Sequence, residues 1–501
     1  MVTLLSKIVY NTLSGYLFFI GSCFVYYFLT PLIINTLGKE QFGLWSLIFS
    51  IIGFFELLDF GFAVGVVKHV AHYKAKEDQN SLNEILSSTF FSYLGLSSIG
   101  ILGLGFVGLI FNTFFEIPTD LQSVSLVLLV LLTVRSMCIN MPFSLFRGIL
   151  FGEQRIYLVN FISLASILFY GSGCWWALTH GYGILALGTF SMLSALLENT
   201  CYIALGYIFE PHLKIAYRLV SKERLFEMTS FSSMQFLANL SQISSQHLAP
   251  ILIKLFYSLN GVAFFAISSK LIGYLFRIIK QFTTTLTPLI AHHGAKKEIE
   301  NVRHILLNGT RYALIPATML LIGGFIYGKD LINLWIGEGF SLSADILNYL
   351  LLAMWISTLQ IVATDILGMT GYERIFGRYF FYSTIANIGF SLVFLQLFGV
   401  IGAAQGTLAT SFFGLTLWLR KACSIYQVKL YQLFFTSLLP HFVSGMADYA
   451  VTQYLHSHFP PQHVYEILLY GIPGIAAYVG VFACFLTRSE REILMCKNTK
   501  R

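Results

Sequence analysis

Charged side chains interrupt the apolar stretches of this 501-residue chain, and they are the residues best suited to bind an ion or a charged substrate. Away from the ends of those stretches they are Glu56, Asp59, Arg135, Glu198, Lys270, Arg277, Lys280, Arg311 and Asp365. At the centre of a lipid-crossing helix each would cost about 2.5–3.5 kcal/mol on insertion scales. They should therefore face protein, each other or a water-filled cavity, and we treat them as the candidate functional residues.

The basic members of this set predict a site for an anion. Lys270, Arg277 and Lys280 stand at i, i+7 and i+10, which places them on roughly one face of a helix. Arginine binds phosphate through two parallel hydrogen bonds, and lysine acts as a point charge. With Arg135 and Arg311, these residues predict a cationic cavity for an anionic substrate. The alternative is that they form internal salt bridges, and the sequence leaves both interpretations open.

The acidic members predict a different role. Glu56 and Asp59 are three residues apart and so share one helix face. We expect them either to pair two halves of the protein or to couple transport to a proton or sodium gradient. For Glu198 and Asp365, pairing or interfacial exposure is the favoured interpretation. No cofactor or metal site is expected, because the histidine pair at 292–293 lacks further ligands.

The composition indicates an all-α, polytopic membrane protein. Hydrophobic residues make up 56% of the chain and charged residues 11%, and the mean hydropathy is +0.72, whereas soluble domains are about 25% charged. A spanning helix needs about 20 apolar residues. Fourteen segments are predicted to meet that need, at 12–36, 42–68, 83–113, 122–149, 157–178, 182–209, 225–254, 261–290, 303–328, 344–370, 375–398, 401–420, 431–453 and 464–487.

The distribution of lysine and arginine predicts the topology. With both termini in the cytoplasm, only Lys39, Lys254 and Lys329 fall in outer loops, and most other basic residues fall in inner ones. This is the positive-inside pattern. We expect a multi-pass membrane protein with both termini in the cytoplasm. The net charge of +7 is then explained by the basic inner loops, which set the orientation of the chain in the membrane. No nucleic-acid partner is expected, because the basic residues form no single stripe.

A weak internal repeat predicts the domain organisation. AHYKAKED (Ala71–Asp78) recurs 220 residues later as AHHGAKKE (Ala291–Glu298). An even number of helices per repeat gives two pseudo-symmetric lobes of the same orientation, with substrate bound between them. The predicted parts are a six-helix lobe at 1–210, a basic cytoplasmic linker at 211–224, a second six-helix lobe at 225–424, and helices 13 and 14 with a basic cytoplasmic tail at 425–501.

Catalytic motifs are missing from the sequence. It contains no GxxxxGK[ST], HExxH or GxSxG, and its loops are short. Transport needs a polar path and no reactive loop, so the chain is predicted not to be an enzyme. A membrane enzyme or scaffold of a polysaccharide assembly complex is the least favoured class.

Two stretches carry a family resemblance. LGKEQFGLWSLIFSIIGFFELLDFGFAVGVVKHVAHYKAKED (Leu37–Asp78) and MPFSLFRGILFGEQRIYLVNFISLASIL (Met141–Leu168) resemble polysaccharide-biosynthesis flippases. These are O-antigen and exopolysaccharide repeat-unit translocases of the multidrug/oligosaccharidyl-lipid/polysaccharide exporter superfamily. The resemblance implies two six-helix lobes in a V plus two further helices.

The resemblance also implies a cargo and a mechanism. The cargo would be an undecaprenyl-pyrophosphate-linked oligosaccharide, moved from the inner to the outer leaflet by alternating access, with membrane lipids, a polysaccharide polymerase and assembly proteins as candidate partners. Arg135, Lys270, Arg277 and Arg311 would suit the family's cationic cavity. The alternative is a cation-coupled multidrug exporter of the same fold, against which the uncharged segment 12–36 argues.

Overall fold

The structure, a computed structural model, describes residues 2–486 and Glu490. The side chains of residues 2–8, 229–235, 237–238 and 373 are outside this description. Most of the predicted basic tail likewise lies outside the described residues.

The described residues form α-helices joined by short turns, with no strand among them. The helices are α1 (Val2–Phe55), α2 (Phe62–Ala75), α3 (Gln79–Phe114), α4 (Gln122–Thr133), α5 (Met141–Gly152), α6 (Ile156–Thr179), α7 (Leu185–Phe209), α8 (Lys222–Phe256), α9 (Leu259–Thr284), α10 (Thr287–Ala295), α11 (Ile299–Ile336), α12 (Ser341–Met369), α13 (Glu373–Phe398), α14 (Ile401–Ile425), α15 (Leu430–Leu433), α16 (Leu439–His458) and α17 (Val464–Cys484).

All fourteen predicted segments are helical, although several contain a break. Ten stretches of the described chain are long and apolar enough to cross a membrane. One of them, Val9–Asp59, spans 51 residues, enough for two crossings at about 20 residues each, and the left-handed Gly38 (φ 81°) divides it. The predicted segments that fall outside the ten are α8, α14 and α16. The prediction of an all-α polytopic membrane protein is confirmed.

Contacts divide the chain into two compact units, Met1–Ala263 and Phe264–Arg501. The division lies beyond the predicted linker at 211–224 because α8 packs on α1, α2 and α3 and so groups with the first unit. The lobe boundaries inferred from the repeat stay a prediction.

Close helix packing shapes the first unit. Gly148 and Gly152 on α5 face Val66 and Val70 on α2, and a Cβ at either glycine would collide with the valine. Small residues at such positions let two helix backbones approach closely, and van der Waals attraction between closely packed helices stabilises their association in a membrane. This pairing fixes α2 directly after the acidic residues Glu56 and Asp59.

The second unit has its own apolar core on the side of its basic loops. Buried Leu306, Val362, Ile366 and Trp418, from α11, α12 and α14, pack with Ile290 of α10. This core holds α10 and the end of α9 against α12, and so positions the basic face of α9.

The two copies of the repeated stretch share a helix-end conformation, which other helix ends, such as those at Gln154 and Gln427, also adopt. Glu77 (φ 58°) and Lys297 (φ 56°), 220 residues apart, are both left-handed although neither is glycine. One residue later, the amides of Asp78 and Glu298 each donate to the carbonyl five residues earlier, at 3.0 Å in both turns. This is the hydrogen-bond pattern of a Schellman helix end. The two sequence copies therefore end a helix in the same way.

Candidate functional site

A break in the helical path surrounds the two predicted acids. Helix α1 ends at Phe55, the residues Glu56–Asp59 form a 3₁₀ turn, and Phe60 (φ 50°) and Gly61 (φ 81°) follow in the left-handed conformation before α2. Two consecutive left-handed residues cannot continue a right-handed helix. The structure thus corrects the prediction of one helix over 42–68, since the acids lie at a junction between two helices.

Asp59 is held by two hydrogen bonds at this junction. Its Oδ1 accepts from the hydroxyl of the fully buried Tyr93 at 2.5 Å and from the amide of Ala63 at 3.3 Å. The second bond satisfies one of the unpaired amides in the first turn of α2, where a negative charge also interacts well with the helix dipole. In this conformation Asp59 fixes the start of α2.

Glu56 differs from Asp59 in its surroundings. Its side chain is exposed, and its carboxylate interacts electrostatically with Arg135 and Asp59. Both partners of Asp59 belong to its own unit, so these contacts stabilise one half of the protein. Pairing of two halves and coupling to an ion gradient stay predictions for the two acids.

Arg135 occupies an unusual helical turn. Residues Val134–Asn140 form a π-helical turn between α4 and α5, a rare feature that often marks functional sites. The guanidinium carbon lies 6.0 Å from the centre of the Phe49 ring, and Arg135 interacts electrostatically with buried Tyr170. Its Nε is buried and has no hydrogen-bond partner in the part of the chain that the structure describes. A buried donor of this kind favours an incoming acceptor.

Sequence reasoning missed His247, whose ring lies near Phe49, the same ring that Arg135 approaches. The imidazole of His247, on α8, packs directly on Gly53, where a Cβ would collide with it, and its ring centre is 6.3 Å from Phe49 and 6.5 Å from Phe54. The residue stands alone in a Ser- and Gln-rich segment, so no motif identifies it. The low hydropathy of that segment is the one feature of the sequence that sets it apart from the other predicted membrane helices.

In the second unit, the predicted basic face of α9 divides into paired and unpaired cations. Lys280 forms an ion pair with Asp365 of α12 at 3.2 Å. Arg277 is exposed, and no ion pair or hydrogen bond reaches it from the described side chains. Lys270, seven residues before Arg277 on the same helix, is half-buried. Arg277 is thus the cation of this face that an anion could reach directly.

Arg311 is packed inside the second unit. Its side chain is 5% exposed, its Nη2 donates to the Phe485 carbonyl at 2.7 Å, and its Nη1 lies 3.4 Å from the Glu490 carboxylate. The guanidinium also lies 5.2 Å from the centre of the Phe482 ring. These contacts tie α11 to α17 and the residues after it. Of the two interpretations left open for Arg311, the geometry favours the internal salt bridge.

The candidate residues therefore separate by their partners. Carboxylates pair with Lys280 and Arg311, although Nε of Arg311, like that of Arg135, is buried without a hydrogen-bond partner among the described residues. No carboxylate of the described residues forms an ion pair with Arg135 or Arg277, which leaves both guanidinium groups for a ligand. Glu198, as favoured from the sequence, is hydrogen-bonded by the hydroxyls of its neighbours. Within the described residues, no group of three or more histidine, cysteine, aspartate or glutamate side chains could hold a metal ion.

Known proteins share this sequence and architecture. Residues 4–294 match the family described as polysaccharide biosynthesis protein. A probable flippase, AglR of Haloferax volcanii, is 23% identical over 94% of each chain. The solved structure of the lipid II flippase MurJ, in an inward closed conformation, superposes with a TM-score of 0.76 at 14% identity, over 97% of this chain and 100% of the other.

A transporter with a different kind of substrate has the same architecture. An inward-facing multidrug resistance MATE family transporter of the MOP superfamily superposes with a TM-score of 0.69 at 16% identity, over 82% of this chain and 95% of the other. At such identities the structural likeness establishes the fold. The match over residues 4–294 confirms the predicted polysaccharide-biosynthesis family, and the named relatives are themselves flippases and transporters.

Proposed function

Because the chain belongs to the polysaccharide biosynthesis protein family, we propose that it is a flippase for oligosaccharides linked to undecaprenyl pyrophosphate. The cargo is an O-antigen or other surface-polysaccharide repeat unit. It moves from the inner to the outer leaflet of the bacterial cytoplasmic membrane, in which both termini of the chain face the cytoplasm. The observation that carries the proposal is Arg135, a cation on a π-helical turn whose Nε has no partner among the described residues.

A pyrophosphate group needs compensation of its charge to cross a bilayer. Arg135 presents a planar guanidinium that can bind two phosphate oxygens at once. Arg277 offers a second, exposed guanidinium on the basic face of α9. The sugar and pyrophosphate enter the protein while the polyprenyl chain stays in the lipid, and alternating access moves the head group across.

Glu56 is the proposed coupling group. Its carboxylate is exposed and interacts electrostatically with Arg135, so loss or gain of a proton on Glu56 changes the field at the anion-binding arginine. Proton or sodium binding at Glu56 would then alternate with substrate binding at Arg135. If collapsing both gradients left transport into vesicles unchanged, this coupling role would be abandoned.

The function is tested by complementation in a deletion strain that lacks redundant flippases. Arg135→Ala and Arg277→Ala should each reduce surface polysaccharide about tenfold or more at unchanged protein level, since a charged hydrogen bond contributes about 1.5–3 kcal/mol. Lipid-linked repeat units should accumulate inside. Arg374→Ala, at an exposed arginine near the start of α13, is the matched control and should export normally. Normal surface polysaccharide in the deletion strain itself would overturn the proposal.

A further inference from the structure

Three buried polar side chains of α3 hold the basic linker at 211–224 in a fixed path. Asn83, Ser87 and Ser88 lie on one face of α3, and each accepts a hydrogen bond from a backbone amide of the linker. The donors are the amides of Lys214, Ala216 and Ser221, at 3.1, 3.2 and 2.9 Å. The linker is therefore an ordered strap along α3, and its side chains have defined positions.

A polar pocket lies between this strap and the start of α3. It has a volume of about 550 Å³ and is lined on the strap side by His212, Lys214 and Arg218. The side chains of Gln79 and Asn80, in the first turn of α3, line the opposite side. The two cations favour a negative charge in this pocket, whereas the start of α3 is already capped by the Asp78 carboxylate, which accepts from the amide of Ser81 at 3.1 Å.

The acid that lines the pocket, Glu84, is ion-paired with Arg224, which also pairs with Glu227. The carboxylate of Glu84 accepts a hydrogen bond from Nε of Arg224 at 3.2 Å. The same guanidinium donates to Tyr73 and Ser81 at 2.8 Å, which fixes it between α2, α3 and α8. Lys214 and Arg218 themselves are exposed. They remain available to an anion that enters the pocket.

Exposed aromatic residues occur within the strap and shortly after it in the sequence. Tyr217, between the two cations in the strap, is 76% exposed, and its ring contacts Phe91 of α3 edge to face at 5.4 Å. Phe226, at the start of α8, is 75% exposed. Aromatic side chains beside lysine and arginine are typical of protein surfaces at the level of lipid headgroups.

We propose that this pocket binds the phosphate headgroup of an anionic phospholipid from the leaflet on the basic side of the membrane. Lys214 and Arg218 neutralise the phosphate, the amide side chains of Gln79 and Asn80 donate to its oxygens, and Tyr217 lies beside the glycerol backbone. This site is separate from the cargo-binding arginines, so it holds a resident lipid whatever oligosaccharide is transported.

The test measures lipid binding to the full chain in a neutral detergent, where no charged bilayer contributes. Phosphatidylglycerol is titrated and bound lipid is counted by native mass spectrometry, with phosphatidylcholine as the zwitterionic comparison. Lys214→Gln/Arg218→Gln should weaken phosphatidylglycerol binding about tenfold or more, the loss expected when charged hydrogen bonds to phosphate are removed. Lys296→Gln/Lys297→Gln removes the same charge from another basic turn and should bind normally.

Three further arms decide the interpretation. Lys214→Arg/Arg218→Lys keeps both charges and should retain binding, which separates a lost site from a lost fold. Asn83→Ala keeps every charge but releases the strap, and should also weaken binding. Inorganic phosphate should compete only weakly if the whole lipid is recognised. The proposal of a lipid site would be overturned if either of the other two double variants lost as much binding as Lys214→Gln/Arg218→Gln. Equal binding of both lipids, or full displacement by inorganic phosphate, would overturn it as well.

Discussion

The Tyr93 hydroxyl donates a 2.5 Å hydrogen bond to Asp59, at the left-handed junction between α1 and α2. Tyr93 is fully buried on α3, so this contact joins three helices around one carboxylate. The same oxygen also accepts from Ala63. A carboxylate with these partners acts first as a structural acceptor, which separates Asp59 from Glu56 three residues earlier.

Replacing Asp59 should therefore reduce the stability of the protein more than its transport activity. Asp59→Ala removes the carboxylate acceptor of the buried Tyr93 hydroxyl, which then keeps only its hydrogen bond with Ser144, and should lower the free energy of unfolding by about 1–3 kcal/mol. Asp59→Asn keeps an oxygen at the same place and should lose less. Thermal unfolding in detergent measures both. A variant Asp59→Asn that is stable but loses all transport would show instead that the charge of Asp59 takes part in coupling.

The buried Arg311–Glu490 pair gives a second prediction. Removing one partner of a buried ion pair costs about 3–5 kcal/mol, because the other charge is left in an apolar surrounding. Arg311→Gln should therefore lower the unfolding temperature strongly. In Arg311→Gln/Glu490→Gln the loss should be smaller than the sum of the two single losses. Additive losses in this double-mutant cycle would show that the two residues act independently.

The sequence predicted the helices well and their side-chain partners poorly. Apolar length and the placement of lysine and arginine are local properties of the sequence. The fourteen segments predicted from them all coincide with helices of the structure, which has further breaks within several of them. The junction at Phe60 could not be predicted, because a phenylalanine gives no sign of a left-handed conformation. Arg311 and Glu490 are 179 residues apart, and only the packing of α17 on α11 brings them together. Nothing in the sequence connects His247 with Gly53.

Lys280 and Arg277 should respond differently to neutralisation. Lys280→Gln leaves the Asp365 carboxylate without its cation, and Lys280→Gln/Asp365→Asn removes both charges, so the double variant should recover much of the stability lost in the single one. Arg277→Gln should keep the wild-type unfolding temperature and reduce transport. Unfolding curves and vesicle transport of the same preparations separate the two roles. Reduced transport in the Lys280→Gln/Asp365→Asn variant at full stability would place Lys280 in the substrate path instead.

A cluster at the ends of α2, α5 and α7 gives a prediction about pH. Lys74 forms ion pairs with Glu153, at 2.7 Å, and with Glu210. Burial lowers the pKa of Lys74, but the two carboxylates outweigh it and raise that pKa above its usual value. Burial and the neighbouring Glu153 raise the pKa of Glu210. Although burial opposes it, hydrogen bonds from Glu210 and Lys74 hold the pKa of Glu153 below its usual value.

Removing this lysine should destabilise the protein more at neutral than at acid pH. The raised pKa of Lys74 contributes stability that is present below its unfolded pKa, of about 10.4. The lowered pKa of Glu153 contributes stability that is lost as the pH falls through its folded pKa. As the pH falls, Glu210 protonates first because its pKa is raised, so Lys74→Met should cost less stability at pH 4 than at pH 7. Unfolding temperatures at both values measure this, with exposed Lys76→Met as the control. Equal losses at the two pH values would show that Lys74 stabilises the cluster by packing of its alkyl chain alone.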